Sequence, residues 1–430
     1  MSMLNRTHAP DFKQLDQFRI IEAEKHVFNN GLELYNIVAG TEPVLKVDIY
    51  FNAGLKHELF KAQASLTSQL LTEGTKRHSS EEIYTSLDFY GAHIQTRCSP
   101  DEGSLSLYCL SRHLSACLET VAEVLKEAAF HEADFQTTRD NNIQKLLVKE
   151  QKNDFLARRH FYAEVFGETH PYGNYVTVED YKKIRQADLA DFFHSRYQNG
   201  IKHLIVSGAA GNDTVDILKS FFDAPEFRSG DAAKSAFSAS QVKNSGRSKM
   251  VEKAGSLQSA LRIGRRLFTR NHPDFRRFQL LNLVLGGYFG SRLMKNLREE
   301  KGLTYGIYSA VESLQDDGCF YVDTDLNDTQ RDEGLNEIYS EIELLRTEPI
   351  GTEELETARN YMLGAFLRSV DGPFSLAERL KILLDFGFSY SYYYDFVETI
   401  KNTSALELQE LANKYLNKET LVEIVVGNKS

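Results

Sequence analysis

Leu297-Arg298-Glu299-Glu300-Lys301-Gly302-Leu303-Thr304-Tyr305 is the stretch from which the fold can be read. The charged residues Arg298 to Lys301 close a helical pattern, and Gly302 stands where a left-handed cap belongs. The run that follows, residues 303–311, is rich in Tyr, Ile and Val and predicts a strand. A helix thus hands directly to a strand, with Arg298 on one side of the junction and Tyr305 on the other, so that both can point at one ligand. On spacing alone the plainer reading holds: Arg298 is a solvated helix-end cation and Tyr305 a half-buried strand residue.

The surroundings of this junction occur twice. Upstream of it come a strand at 256–263, a helical pattern at 274–284 and Gly286-Gly287. Downstream, two strands flank Asp316-Asp317-Gly318, and long helical patterns cover 327–346 and 352–368. The first half has the same order. Short strands are predicted at 26–28, 32–38 and 44–52, the last alternating Leu45, Val47, Ile49, Phe51 against Lys46, Asp48, Tyr50 as a half-buried strand does. A helix at 62–71 ends at Gly74-Thr75, and Ser79-Ser80-Glu81-Glu82 opens another with an N-cap and acidic first turn. Two strands flank Asp101-Glu102-Gly103. Helical patterns cover 114–129, 132–166 and 187–197, with a break at His170-Pro171-Tyr172-Gly173, and a strand follows at 203–207. Gly103 and Gly318 are 215 positions apart, Arg139 and Arg359 220, Tyr197 and Tyr415 218. Three matches in one order at nearly one offset, half the chain length, indicate a duplication.

The expected fold class is therefore α+β, with two homologous domains, each an antiparallel sheet with long helices packed on one face. Residues 1–226 and 251–430 form the two domains. Residues 227–250, rich in Ser, Ala, Gly and Lys, form a linker, and residues 1–18 read as a polar arm. A chain of 430 residues is too long for one core. Its 42% hydrophobic and 26% charged residues are ordinary for a globular protein, and a net charge of -11 argues against a general nucleic-acid binder. The four cysteines form no C-x-x-C pair, so neither a zinc knuckle nor a disulfide framework is expected, and reduced, buried thiols are. Residues 1–14 lack an apolar signal-type core and no run of about 18 apolar residues occurs, so the expectation is a cytoplasmic protein without a membrane span.

Asn30-Gly31-Leu32, Ala53-Gly54, Gly74-Thr75, His170-Pro171-Tyr172-Gly173, Gly286-Gly287, Gly290-Ser291-Arg292-Leu293 and the 297–305 stretch together resemble the M16 (pitrilysin-type) zinc peptidase family in its short, two-domain form. Residues 286–305 are the most specific part of the resemblance, which extends over nearly the whole chain. Active members carry H-x-x-E-H on the first helix, two zinc-binding His one turn apart with a Glu base between them. Anchored on Gly74-Thr75, those positions fall on Ser65-Leu66-Thr67-Ser68-Gln69, with Ser65, Ser68 and Gln69 at the ligand and base sites. The third ligand, a Glu, is implied within 139–146, where Asp140 is the single acidic residue; Glu150 lies beyond it, without histidine partners. Ser and Gln are poor zinc ligands. The expectation is that this chain binds no zinc and cuts no peptide alone.

The resemblance further implies that Arg298 and Tyr305, seven residues apart, hold the substrate backbone and steady the oxyanion. In two-subunit members one chain supplies the zinc motif and the other this pair. The leading expectation is thus a non-catalytic subunit of a heterodimer, with zinc on a homologous H-x-x-E-H partner and a peptide as substrate. The alternatives are a catalytically inert peptide-binding or scaffold homodimer, and an autonomous zinc peptidase with unusual ligands. Among other candidates, His170 reads as a turn residue, His57-Glu58 as a surface loop, and Gly286-Gly287 with Gly290 as close backbone packing. Arg262, Arg265, Arg266, Arg270, Arg276 and Arg277 read as a solvated face or partner contact, with acidic peptides a further option. Tyr390, Tyr392, Tyr393, Tyr394 and Phe396 read as core or interface packing.

Overall fold

The computed structural model describes residues 18–227 and 246–429. Most of the expected arm (residues 1–17) and of the expected linker (residues 228–245) lies outside the described residues.

Six strands form the first sheet: β1 (Glu24–Val27), β2 (Glu33–Val38), β3 (Val44–Phe51), β4 (His93–Cys98), β5 (Gly103–Leu110) and β6 (Ile201–Gly208), in the order β1-β2-β6-β3-β5-β4. Five form the second: β7 (Arg247–Glu252), β8 (Gln258–Leu267), β9 (Ile307–Ser313), β10 (Gly318–Asn327) and β11 (Val422–Gly427), in the order β7-β11-β8-β10-β9. Apart from β1 the plans coincide. One parallel pair (β2 with β6, β7 with β11) is followed by three antiparallel pairings. The parallel pair refines the expectation of purely antiparallel sheets. Strand β7 also takes up Arg247 to Met250, expected as linker. Its half-exposed, charged sequence has little apolar signal, and pairing with β11 gives its backbone partners.

The helices repeat too: α1 (Gln63–Leu70), α2 (Ser80–Phe89), α3 (Leu114–Glu127), α4 (Glu132–Lys149), α5 (Asn153–Phe166), α6 (Val178–Lys183), α7 (Gln186–Phe192) and α8 (Thr214–Phe222), then α9 (Phe275–Asn282), α10 (Arg331–Thr347), α11 (Thr352–Arg368), α12 (Pro373–Phe386), α13 (Ser391–Asn402) and α14 (Ala405–Tyr415). The Ser79/Glu82 capping box starts α2. In α3 the buried set Leu114, Cys117, Leu118, Val121 and Leu125 follows the helical period and turns to the core. The single helix expected over 132–166 is two, broken at 150–152, where Glu150 ends α4 and pairs with Arg159 of α5 at 2.6 Å.

Helices α5 and α12 are exchanged between the halves. From α5, Phe161, Val165 and Phe166 join Ala260, Ile424 and Val426 of the second sheet in one apolar cluster. From α12, Leu376, Leu380 and Leu383 share a core with Ile37, Tyr50 and Ile205 of the first sheet. Each sheet is therefore covered on both faces, and β3 is not the half-buried strand that its alternation predicts. Lys46, Asp48 and Tyr50 are buried beneath α12. Burial there requires partners for the charges. Lys46 Nζ lies 3.0 Å from both Asp48 and Glu378, Lys202 Nζ 2.8 Å from Glu102 and 3.0 Å from Asp385, and Lys381 bridges the same two carboxylates. The duplicated turns also face each other: Lys56 Nζ sits 3.2 Å from Asp101 and 3.0 Å from Asp316. All four cysteines are free, three of them buried. Among the described residues no helix is long and apolar enough to cross a membrane.

Candidate functional site

Helix α1 carries the positions at which the family resemblance implies zinc ligands. Ser65, Ser68 and Gln69 share one face, at i, i+3 and i+4. The Ser65 hydroxyl donates to the Ala62 carbonyl (3.2 Å), Ser68 is buried, and Gln69 is exposed. Helix α4 does run beside this face, as a third ligand would require, but it presents Asn142, whose amide donates to Gln69 Oε1 at 2.9 Å. Asp140 pairs with its neighbour Arg139. An amide–amide contact with two hydroxyls nearby does not fit zinc, which takes thiolate, imidazole and carboxylate donors. Among the described residues no group of three His, Cys, Asp or Glu side chains could hold a metal.

The loop entering α1 corrects one expectation. His57 and Glu58 are not a surface loop. His57 is buried, and burial followed by the neighbouring Arg196 charge lowers its pKa to about 4. Ala62 takes a left-handed conformation (φ 72°), and Glu58 Oε2 accepts from the Ala64 amide at 3.2 Å, filling one of the free donors at the helix start. Burial pushes the Glu58 carboxyl up to about 7.

The junction at Arg298 and Tyr305 lies in the second half. Residues Met294–Glu300 form π-helical turns, and Gly302 (φ +62°) reverses the chain as its position implied. The strand does not follow at once. Residues 303–306 are irregular because Thr304 Oγ1 bonds the carbonyls of Gly306 (3.0 Å) and Asp325 (2.8 Å) and accepts from the Gly306 amide, and β9 begins at Ile307. That tether lifts Tyr305 off the sheet, 92% exposed rather than half-buried. Arg298 is exposed as well, and among the described residues no carboxylate pairs with it; its guanidinium sits 5.0 Å from the centroid of the Phe289 ring. Phe289 is itself 59% exposed, and nothing in its sequence spacing to Arg298 marks the contact. It opens a cleft of about 410 Å³ between the 286–289 turn and strands β9 and β10.

The remaining candidates act inside the chain. His170 is buried, 3.6 Å from Asp317, and burial lowers its pKa; its Nδ1 accepts from the Tyr172 amide. The Tyr172 hydroxyl donates to Asp101 and lies 3.3 Å from Asp316, so the His-Pro-Tyr-Gly turn fastens the two halves together. Gly286 is held against β9: a Cβ there would come within 2.7 Å of the Ser309 amide. The arginines are not a solvated face. Arg262 pairs with Asp323 (2.7 Å), Arg266 with Asp317 (2.5 Å) and Arg277 with Glu407 (3.4 Å), while Arg265 donates to the Tyr415 carbonyl, Arg276 lies over Tyr392 and Arg270 over Phe275. In the aromatic cluster Tyr392 and Tyr393 are core residues, and Tyr390 and Tyr394 hold the segment that leads into β1, through the Ala23 amide and a stacked Phe18.

Comparison with known proteins matches two family models to most of the chain: Insulinase (Peptidase family M16) over residues 41–174 and Peptidase M16 inactive domain over residues 183–362. The uncharacterized zinc protease YmxG of Bacillus subtilis is 23% identical over 366 residues, covering 83% of this chain and 86% of its own length. The non-peptidase homolog YmxG of Helicobacter pylori is 24% identical over 382 residues, covering 85% and 84%. A solved peptidase M16 inactive domain from Pseudomonas fluorescens superposes with a TM-score of 0.85 at 22% identity, over 95% of this chain and 98% of that one.

Proposed function

Because the chain belongs to the peptidase M16 family, as an inactive homologue, we propose that it is the non-catalytic subunit of a two-chain zinc peptidase. The observation that carries this reading is one of contrast. Among the described residues Arg298 and Tyr305 stand exposed and without ionic partners, while the α1 face presents Ser65, Ser68 and Gln69 at the metal positions. An arginine and a phenol that the fold leaves free are available to a peptide. Arg298 would hold a peptide carbonyl by charge-assisted hydrogen bonds, and the Tyr305 hydroxyl would donate to the oxygen on which negative charge develops. Zinc, base and water belong on this reading to a homologous partner that carries H-x-x-E-H. The test is peptide cleavage by the mixed subunits. Arg298→Ala and Tyr305→Phe should each lower kcat about 10²-fold with complex formation intact. Unchanged rates would sink the proposed roles.

A second reading is favoured by the name of the Helicobacter relative, a non-peptidase homolog. Here the chain is an inert peptide-binding or scaffold homodimer. It predicts a stable complex without any zinc-bearing partner, which sedimentation of the purified chain would reveal.

A further inference from the structure

The cleft beside Phe289 has walls and a charge that the roles of Arg298 and Tyr305 do not use. Phe289 and Tyr308, both exposed, supply aromatic surface over the buried Met294 and Ile307, and Asp323 and Asp325 line the cleft from β10. Two positions apart on one strand, the two aspartates share a face of the sheet. They are not equivalent. Arg262, itself buried, neutralises Asp323 at 2.7 Å. Asp325 has no ion pair, and no hydrogen bond reaches its carboxylate among the described residues. Although Asp325 is exposed, its partial desolvation at the cleft pushes the carboxyl up to about 6, and Asp323 and then Asp154 of α5 push in the same direction. Arg158 of α5 is a further cation felt by Asp323. Of the two cleft carboxylates Asp325 is therefore the one that no described cation pairs with, although Arg298 lies on the Phe289 ring and Lys253 lines the adjoining cavity; a cation brought to it in a partly apolar cleft is worth more than in water.

The cleft is also tied to the Tyr305 loop. The Asp325 carbonyl accepts from Thr304 Oγ1, one residue before Tyr305, and the Phe289 ring that walls the cleft carries Arg298 on it. A chain held by Arg298 and Tyr305 therefore passes its mouth.

We propose that this cleft receives a lysine or arginine side chain of the bound peptide, with the alkyl stem against Phe289 and Tyr308 and the cationic head at Asp325. This selectivity rests on the reading of Arg298 and Tyr305 as peptide-holding groups. A long side chain with an apolar stem and a charged tip is the one natural type that satisfies both the walls and the carboxylate. A metal ion is a poorer fit, since no three ligating side chains converge there among the described residues.

The experiment uses the full chain and fluorescein-labelled decapeptides of alanine and serine with one central arginine, citrulline, norleucine or glutamate, read by anisotropy. The arginine peptide should bind about tenfold more tightly than the citrulline peptide, the size of one charge-assisted hydrogen bond. Asp325→Asn should erase that preference, and Asp325→Lys should turn it toward the glutamate peptide, with circular dichroism showing both variants folded. Equal binding of arginine, citrulline and norleucine peptides overturns the proposal, as does an arginine preference that survives Asp325→Asn or an absence of saturable binding by every peptide. Cleavage by the mixed subunits separates the two claims. If Arg298→Ala and Tyr305→Phe leave the rate unchanged while the arginine preference holds, the catalytic reading fails and the cleft stands. If those variants lower the rate while the preference is missing, the cleft alone is refuted.

Discussion

Replacing Lys381 by methionine tests how the two halves are joined. Lys381, on α12, bridges Glu102 of the first sheet's turn and Asp385 of its own helix, and Lys202 on β6 bridges the same two carboxylates at 2.8 and 3.0 Å. Two cations and two anions thus balance between the sheet and the exchanged helix. In Lys381→Met one lysine faces two nearly buried carboxylates. Removing one partner of a buried ion pair costs about 3–5 kcal/mol, and Lys202 remains to compensate in part, so a loss of about 3 kcal/mol is expected. With a urea m-value near 3 kcal/mol/M, the unfolding midpoint should fall by about 1 M. Lys381→Met/Asp385→Leu leaves Lys202 with Glu102 alone and should recover most of the loss. The sign with pH follows from the partners. Burial pushes the Asp385 carboxyl up, but Lys381 and Lys202 together outweigh it and hold the group below its usual range. Its contribution is therefore present above about pH 4 and fades as pH falls through the lower folded value. The Lys381 pKa is raised: burial works against this, and Glu102 and Asp385 overcome it. Its contribution is present at neutral pH and fades only above about pH 10. The penalty of Lys381→Met should accordingly be larger at pH 7 than at pH 3. A single-variant loss under about 1 kcal/mol, or a double variant whose effects add within about 0.5 kcal/mol, would refute this account.

Two further outcomes are expected. Glu58 keeps its proton up to about pH 7 when folded and gives it up near pH 4.3 when unfolded, so in that window the native state binds more protons and stability falls as pH rises. Because Glu58 is partly open to solvent, Glu58→Gln should stabilise the chain by only about 1–2 kcal/mol at pH 8 and flatten the profile between pH 5 and 7, as thermal melts at stepped pH would show. The purified chain should carry far less than one equivalent of zinc, and EDTA should leave its melting temperature unmoved; a metal-dependent melt would mean that ligands other than Ser65, Ser68 and Gln69 are at work.

The repeat was legible because turns constrain composition locally. Gly103 and Gly318 each sit where a side chain would strike a neighbour: the Tyr197 hydroxyl at 2.9 Å and the Phe268 carbonyl at 2.6 Å. Gly302 announced its left-handed turn for the same reason of local sterics. What depended on distant partners could not be read. Lys46 and Asp48 look like a solvent face until Glu378, more than three hundred residues away, is brought over them by α12. His57-Glu58 looks like a surface loop because its role depends on the left-handed turn at Ala62 and on packing beneath the helix start. At the candidate site, Ser65, Ser68 and Gln69 on α1 and the pair Arg298/Tyr305 were visible as residue types at known spacing. The 92% exposure of Tyr305 was not, since it follows from Thr304 bonding to Gly306 and to a strand twenty residues later. Phe289 and Asp325 lacked any such marker.

The exchange of α5 and α12 bears on descent. A single half made to this plan has one sheet face bare, and the helix shaped to cover it belongs to its twin. Unfused, the arrangement that satisfies both faces is a twofold pair of half-length chains trading the helices that correspond to α5 and α12. The present polypeptide holds such an exchanged pair within one chain, with Ser65, Ser68 and Gln69 on the first helix of one half and an arginine and a tyrosine turned outward on the other.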